Sequence, residues 1–141
     1  MAKLTQEEAD AFLDRRPGWM ILTTLDRNGY PHTVPIGYFR VGDEVFMGCR
    51  DKTQKIRNIE RNPKVSVLIE SGSTMIDLKG LMLQGDADVV RDDAERLRLS
   101  HEGARQRGIP EADWPEEVRP SSVYIRVRPV RMVSWDNAKD D

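Results

Sequence analysis

The sequence predicts a mainly β fold, a small antiparallel β-barrel with flanking helices. Three observations lead there. Short strand-like runs are separated by turn signals, the first of them Asp26-Arg27-Asn28-Gly29. The stretch Leu78 to Val90 is interrupted by Gly80 and Gly85, and glycines inside a strand pattern suit bulges or sharp barrel bends. A late run, Ser122 to Trp135, returns after several hairpins with Val123, Ile125 and Val127 in alternation. Such a strand is what a small closed barrel needs to remove its exposed edges.

The elements follow in order. Thr5 and Glu8 form a capping box, and Ala9, Phe12 and Leu13 give the first helix an apolar face that ends near Arg16-Pro17-Gly18. Trp19 to Leu25 reads as a strand, and Asn28-Gly29 suits a turn that needs positive φ. Pro31 to Val41 reads as the second strand, and its two prolines, Pro31 and Pro35, place part of it at an edge or a bulge. Gly42-Asp43 turns the chain into the apolar run Glu44 to Gly48. Asp51 and Thr53 are both candidate N-caps, with Gln54 three residues after Asp51 as a capping box requires. Ile56 and Ile59 give that helix a narrow apolar stripe, and Asn62-Pro63 ends it.

Val65, Val67 and Ile69 then alternate along a strand, and Ser71-Gly72-Ser73 turns into the long one. Asp92 or Asp93 starts a helix carrying Ala94, Leu97 and Leu99. Residues 101–120 are polar and contain prolines, so they read as a helix plus a covering loop anchored by Trp114. Lys139-Asp140-Asp141 reads as a frayed tail.

A chain of 141 residues with 38% hydrophobic and 33% charged residues is one well-solvated domain, residues 1–141. A formal charge of −2 gives no global basic field for nucleic acid, and no apolar run reaches membrane-spanning length. The N-terminus lacks an apolar secretory core, and a single cysteine suits a reducing, cytoplasmic setting. Two histidines and one cysteine offer no metal-ligand spacing, and no nucleophile elbow or Walker loop is present. Arg50 beside Cys49 could lower the thiol pKa, but packing is the better account of Cys49. His32 reads as an exposed strand residue and His101 as solvated. Asp86, Asp88, Asp92, Asp93 and Glu95 read as a solvated face and a helix start.

Chemistry concentrates at the start of the helix after Cys49. Arg50, Lys52, Lys55 and Arg57 crowd an end where the helix dipole already places positive charge. An anion among them, such as a phosphate, would satisfy both the cations and the free amides; a solvated basic face is the alternative.

Gly48 to Leu68, with Lys55 eight residues before Pro63 in Asn62-Pro63 and then Val65-Ser66-Val67-Leu68, resembles the core segment of the pyridoxamine 5'-phosphate oxidase-like, flavin-binding split-barrel superfamily. Ile21 to Ile36, Leu81 to Val90 and Val127 to Trp135 are similar to other pieces of it, in the same order. The resemblance implies an antiparallel split β-barrel of the FMN-binding type, paired as a homodimer with two cofactors in grooves between subunits. It implies that Thr33, Val34, Pro35 and Ile36 lie along the isoalloxazine ring and offer main-chain contacts. It also implies a phosphate site at Lys55, supported by Thr53, Gln54, Arg50, Lys52 and Arg57. Trp135 is either a core anchor or a lid over the ring from a partner chain.

The sequence departs from true pyridoxamine phosphate oxidases. Thr33 and Gln54 stand where those enzymes have basic residues, a substrate lysine is missing near Tyr38, and the C-terminal substrate segment is not evident after Trp135. The resemblance therefore points to a short oxidoreductase that uses FMN, or the deazaflavin coenzyme F-420, on a small organic substrate. In the deazaflavin case Arg50, Lys52 and Arg57 would also face a polyglutamate tail. A cofactor that carries the electrons asks of the protein only positioning and tuning. A flavin-binding or redox-sensing module without turnover, and an interaction protein that has lost its ligand, are the alternatives.

Overall fold

The computed structural model describes residues 2–140. Strands β1 (Met20–Leu25), β2 (Pro31–Ile36), β3 (Phe39–Val41), β4 (Glu44–Arg50), β5 (Lys64–Ser71), β6 (Lys79–Val90) and β7 (Ser122–Asp136) form one antiparallel sheet. Helices α1 (Gln6–Arg15), α2 (Gln54–Arg61) and α3 (Asp93–Gln106) flank it, giving the mainly β split barrel that the sequence implied. The strand order is β2-β1-β5-β6-β7-β4-β3, so β2 and β3 each pair on one side only. The sheet is thus curled but not closed, and the expected removal of all edges does not occur.

The expected second strand, Pro31 to Val41, is two strands. Gly37 and Tyr38 break it, because Tyr38 turns into the core and donates its hydroxyl to the Leu13 carbonyl at 2.6 Å, tying the bend to α1. The β1–β2 turn closes on Asp26, whose Oδ1 accepts from the Asn28 and Tyr30 amides. Gly29 carries the positive φ, at 84°, and Asn28 does not. The predicted capping box of α1 is present in both directions, Thr5 Oγ1 accepting from the Glu8 amide and Glu8 Oε1 from the Thr5 amide.

The main core fills the concave side of the sheet. Met20, Leu22, Met47, Val67, Ile69, Leu81, Ile125 and Val127 meet Phe12 of α1 and Ile56 and Ile59 of α2 there. Each such side chain contributes about 1.5–3 kcal/mol relative to remaining in water. A smaller cluster lies under α3: Phe39, Phe46, Val90 and Leu99, with the Phe39 and Phe46 rings stacked at 5.7 Å. Gly103 of α3 permits that approach, since a Cβ there would stand 3.3 Å from the Phe39 ring.

Helix α3 runs past His101 to Gln106, supplying the helix expected at the start of 101–120. The remainder, 107–121, is pinned by the buried Arg96, which donates to the carbonyls of Arg119 and Ser122. His101 is not solvated as expected: its Nε2 lies 2.7 Å from the Pro115 carbonyl and its ring tilts against Trp114. Nor is the C-terminal segment through Asp140 frayed. Lys139 pairs with Glu8 and Asp140 accepts from the Ala2 amide, while Asp141 lies outside the described residues.

Candidate functional site

Helix α2 begins without a side-chain cap. Thr53 occupies the N-cap position, but its hydroxyl donates to the Arg50 carbonyl at 3.1 Å instead of accepting from the helix. The capping box expected of Asp51 and Gln54 is absent. Asp51 turns to Arg91, which donates to both of its oxygens at 2.9 and 3.2 Å, and Gln54 turns inward to Asn58. The Arg91 guanidinium, with the Lys52 amide, holds the Asp51 carboxyl below the usual carboxylate range. The intervening Lys52 adopts a left-handed backbone, φ 63°, which a non-glycine residue takes rarely. Among the described residues the N–H groups of Gln54 and Lys55 therefore have no acceptor.

The four cations are likewise unneutralised. Arg50, Lys52 and Arg57 are exposed and Lys55 half-buried, and none makes an ion pair among the described residues. The nearest carboxylate in sequence, Asp51, is committed to Arg91. Free amides, a dipole end and unpaired cations within the first turn of α2 and the loop before it fit a phosphate in both donor chemistry and charge.

Strand β2 sits one strand from β1, and α2 is fastened to β1. Asn58 Nδ2 donates to Thr24 Oγ1 at 2.9 Å, and Arg61 Nη2 to the Leu25 carbonyl at 2.8 Å. Thr33 and Pro35 expose their side chains on the convex face, and the Thr33 hydroxyl lies 3.1 Å from that of Thr23. Val34 and Ile36 turn into the core, so they could offer a flat ligand only main-chain atoms. His32 pairs across from Thr24 and is only half-exposed; its Nδ1 is buried without a partner.

Trp135 is not a core anchor. It stands on the convex face, half-exposed and in register with Gly80. Cys49 packs against the core; burial pushes its thiol pKa up, and the nearby Lys55 charge offsets this only in part. The lowering suggested by Arg50 is thus overturned. The acidic residues around β6 are used in structure: Asp88 pairs with Arg126 and Arg128, and Asp92 caps α3.

Two features were not foreseen. Asn58 lies beside the Ile56–Ile59 stripe and is wholly buried, and a polar residue adjoining an apolar stripe was the available signal. A cleft of about 670 Å³ opens between α3 and the 107–121 segment. Its floor includes Gly48 and Tyr124, its walls carry Arg107 and Arg119, and Arg50 is common to its rim and to the start of α2. That assembly joins residues far apart in sequence and left no local signature. Burial raises the Tyr124 pKa there, with Arg107 opposing.

An open, seven-stranded antiparallel split barrel flanked by three helices is the architecture of the flavin-binding split-barrel class. The profile of the pyridoxamine 5'-phosphate oxidase family matches residues 5–136, and the chain belongs to that family. A conserved hypothetical protein of Mycobacterium tuberculosis, Rv2991, shares 26% identity at a TM-score of 0.81, over 97% of this chain and 88% of that one. A protein described as F420 reductase shares 25% identity at a TM-score of 0.64, over 86% of this chain and 94% of that one. The flavocytochrome Anf3 of Azotobacter vinelandii shares the fold, with 16% identity and a TM-score of 0.77 over 94% of this chain and 67% of that one. No curated protein sequence matches significantly. No helix among the described residues is long and apolar enough to cross a membrane.

Proposed function

We propose that the chain is an oxidoreductase that binds FMN, or the deazaflavin coenzyme F-420, between two copies of itself and acts on a small organic substrate. The observation that carries this reading is the start of α2, where unaccepted amides and unpaired cations coincide. Lys55, with the Gln54 and Lys55 amides, would hold the cofactor phosphate. Three further exposed cations, Arg50, Lys52 and Arg57, exceed what one phosphate needs, which favours an acidic tail and hence the deazaflavin form. Membership of the family and likeness to an F420 reductase are compatible with either cofactor. The substrate lysine missing near Tyr38 argues against pyridoxamine phosphate as the substrate.

The bound ring would supply the hydride or electron transfer itself. The chain's part is to orient it: Thr33, steadied by Thr23, and the backbone of Val34, Pro35 and Ile36 form the strand against which a ring can lie. No pair of titratable side chains stands on the convex face of β2, so the chain supplies no acid–base couple there.

The shared groove rests on a row across the convex face. Pro35, Ile21, Leu68, Met82 and Val133 lie side by side on five neighbouring strands, outside the core. An apolar row of this kind on a solvent-facing sheet suits burial against a second copy. Trp135, at the end of that face, would then reach the partner's ring.

Titration of apo-protein with FMN and with F-420 tests the reading, together with mass spectrometry of the cofactor released from native-source protein. A chain that takes up neither would overturn it. Turnover with a reductant and an acceptor separates an enzyme from a flavin-binding or redox-sensing module.

A further inference from the structure

Asn58 is wholly buried, and its amide is bonded in three directions. Its Nδ2 donates to Thr24 Oγ1 on β1 at 2.9 Å. Its Oδ1 accepts from Gln54 Nε2 at 2.7 Å and from Arg61 Nη2 at 3.1 Å. Arg61 in turn donates to the Leu25 carbonyl. Both oxygen lone pairs and one N–H are in use, so the amide has one favourable orientation.

The network joins the two halves of the proposed cofactor site. Gln54 opens the helical turn whose amides face the anion position. Thr24 is paired with His32 of β2, and Leu25 with Pro31. The sheet joins β2 to β1 alone, and no ladder runs from α2 to either strand. Burial of Ile56 and Ile59 presses α2 onto the core, but apolar attraction is non-directional and leaves the helix free to slide or rotate. The directional bonds of Asn58 remove that freedom.

We propose that Asn58 is a positioning residue: it sets the distance and angle between the phosphate-binding turn of α2 and the ring-binding strand β2. Affinity for the intact cofactor then depends on a side chain that touches no cofactor atom. This rests on the cofactor reading above. A two-part ligand gains from a fixed spacing between its subsites, whereas each part alone does not.

The test compares FMN with its two fragments, riboflavin and inorganic phosphate, as ligands of the apo-protein. Thr24→Val cuts the direct bond of Asn58 to β1 and spares the Asn58 bonds to Gln54 and Arg61. It leaves the Arg61–Leu25 bond as the one remaining polar tie between α2 and β1 among the described residues. Asn58→Leu removes all three bonds, and Thr24→Val decides if that variant does not fold. Thr24→Val should weaken FMN binding about tenfold while riboflavin and phosphate each change less than about twofold, a pattern of coupled sites. FMN affinity that stays unchanged would overturn the proposal. So would a loss of FMN affinity matched by the same loss for one fragment, which would locate the damage within that subsite. The cofactor reading fails on a different result, a wild-type chain that takes up neither FMN nor F-420; where F-420 is the form bound, the same comparison is made with F-420 and its fragments.

Discussion

The indole of Trp135 occupies the space in which a side chain on Gly80 would stand. A Cβ on Gly80 would lie 2.2 Å from the Trp135 ring, and the two residues are register partners on β6 and β7. Gly80→Ala should therefore displace the ring. Overpacking of this kind costs about 1–3 kcal/mol. A lowered urea midpoint with a shifted tryptophan emission maximum would show it; an unchanged midpoint would mean that the ring swings away freely.

Lys55→Ala should weaken cofactor affinity. A charge-assisted hydrogen bond contributes about 1.5–3 kcal/mol, which corresponds to roughly a ten- to a hundredfold loss. Excess cofactor should restore activity, because the defect is one of occupancy. Fluorescence titration of the apo-protein gives the dissociation constant, and an unaltered value would remove Lys55 from the site.

Leu68→Glu places a charge in the middle of the convex apolar row. The unaltered protein should sediment at twice 16.2 kDa with cofactor bound, and the variant as a monomer with weakened cofactor binding. A monomeric wild type that retains stoichiometric flavin would end the shared-groove proposal.

His32→Ala and Cys49→Ala should each change the turnover number by less than about tenfold at full cofactor occupancy, a barrier shift under about 1.4 kcal/mol. Loss of a positioned acid or base would be far larger, typically 10²–10⁴-fold. Single-turnover reduction and reoxidation of the saturated variants separates the two cases. A thousandfold loss in His32→Ala would make it catalytic.

The pair between Glu8 and Lys139 sets an acid limit. The Lys139 ammonium and the Thr5 amide lower the Glu8 pKa from 4.5 to about 2. A folded pKa below the unfolded one means the stabilisation is fully present above pH 4.5 and is lost as pH falls through about 2. The difference in urea midpoint between wild type and Glu8→Gln should shrink across that window. A difference independent of pH would assign the effect to something other than ionisation.

Local rules carried the sequence reading where the partners are near in the chain. The α1 capping box spans three residues, and the Asn62-Pro63 stop acts on its own helix, so both were legible. Asp51 failed because its partner, Arg91, lies forty residues away and a bidentate guanidinium outcompetes a helix cap. The break at Gly37-Tyr38 depends on the Leu13 carbonyl, whose residue lies on α1 far back in the chain. Of the candidate site, the basic cluster could be read directly. The reason its amides are free could not, because it lies in a left-handed Lys52 and a distant arginine.

The unclosed sheet bears on how the protein avoids self-association of the wrong kind. A free strand edge is a template on which another chain can build, and repeated addition leads to fibres. Here β3 offers only three residues, and β2 begins with Pro31 and carries Pro35. Two of the six residues of β2 can donate no backbone hydrogen bond, so an incoming strand could not form a complete ladder with it. The prolines of β2 thus guard it against polymerisation. Replacing Pro31 and Pro35 with valine should convert the edge into an aggregation site, with light scattering growing at protein concentrations where the parent chain stays clear.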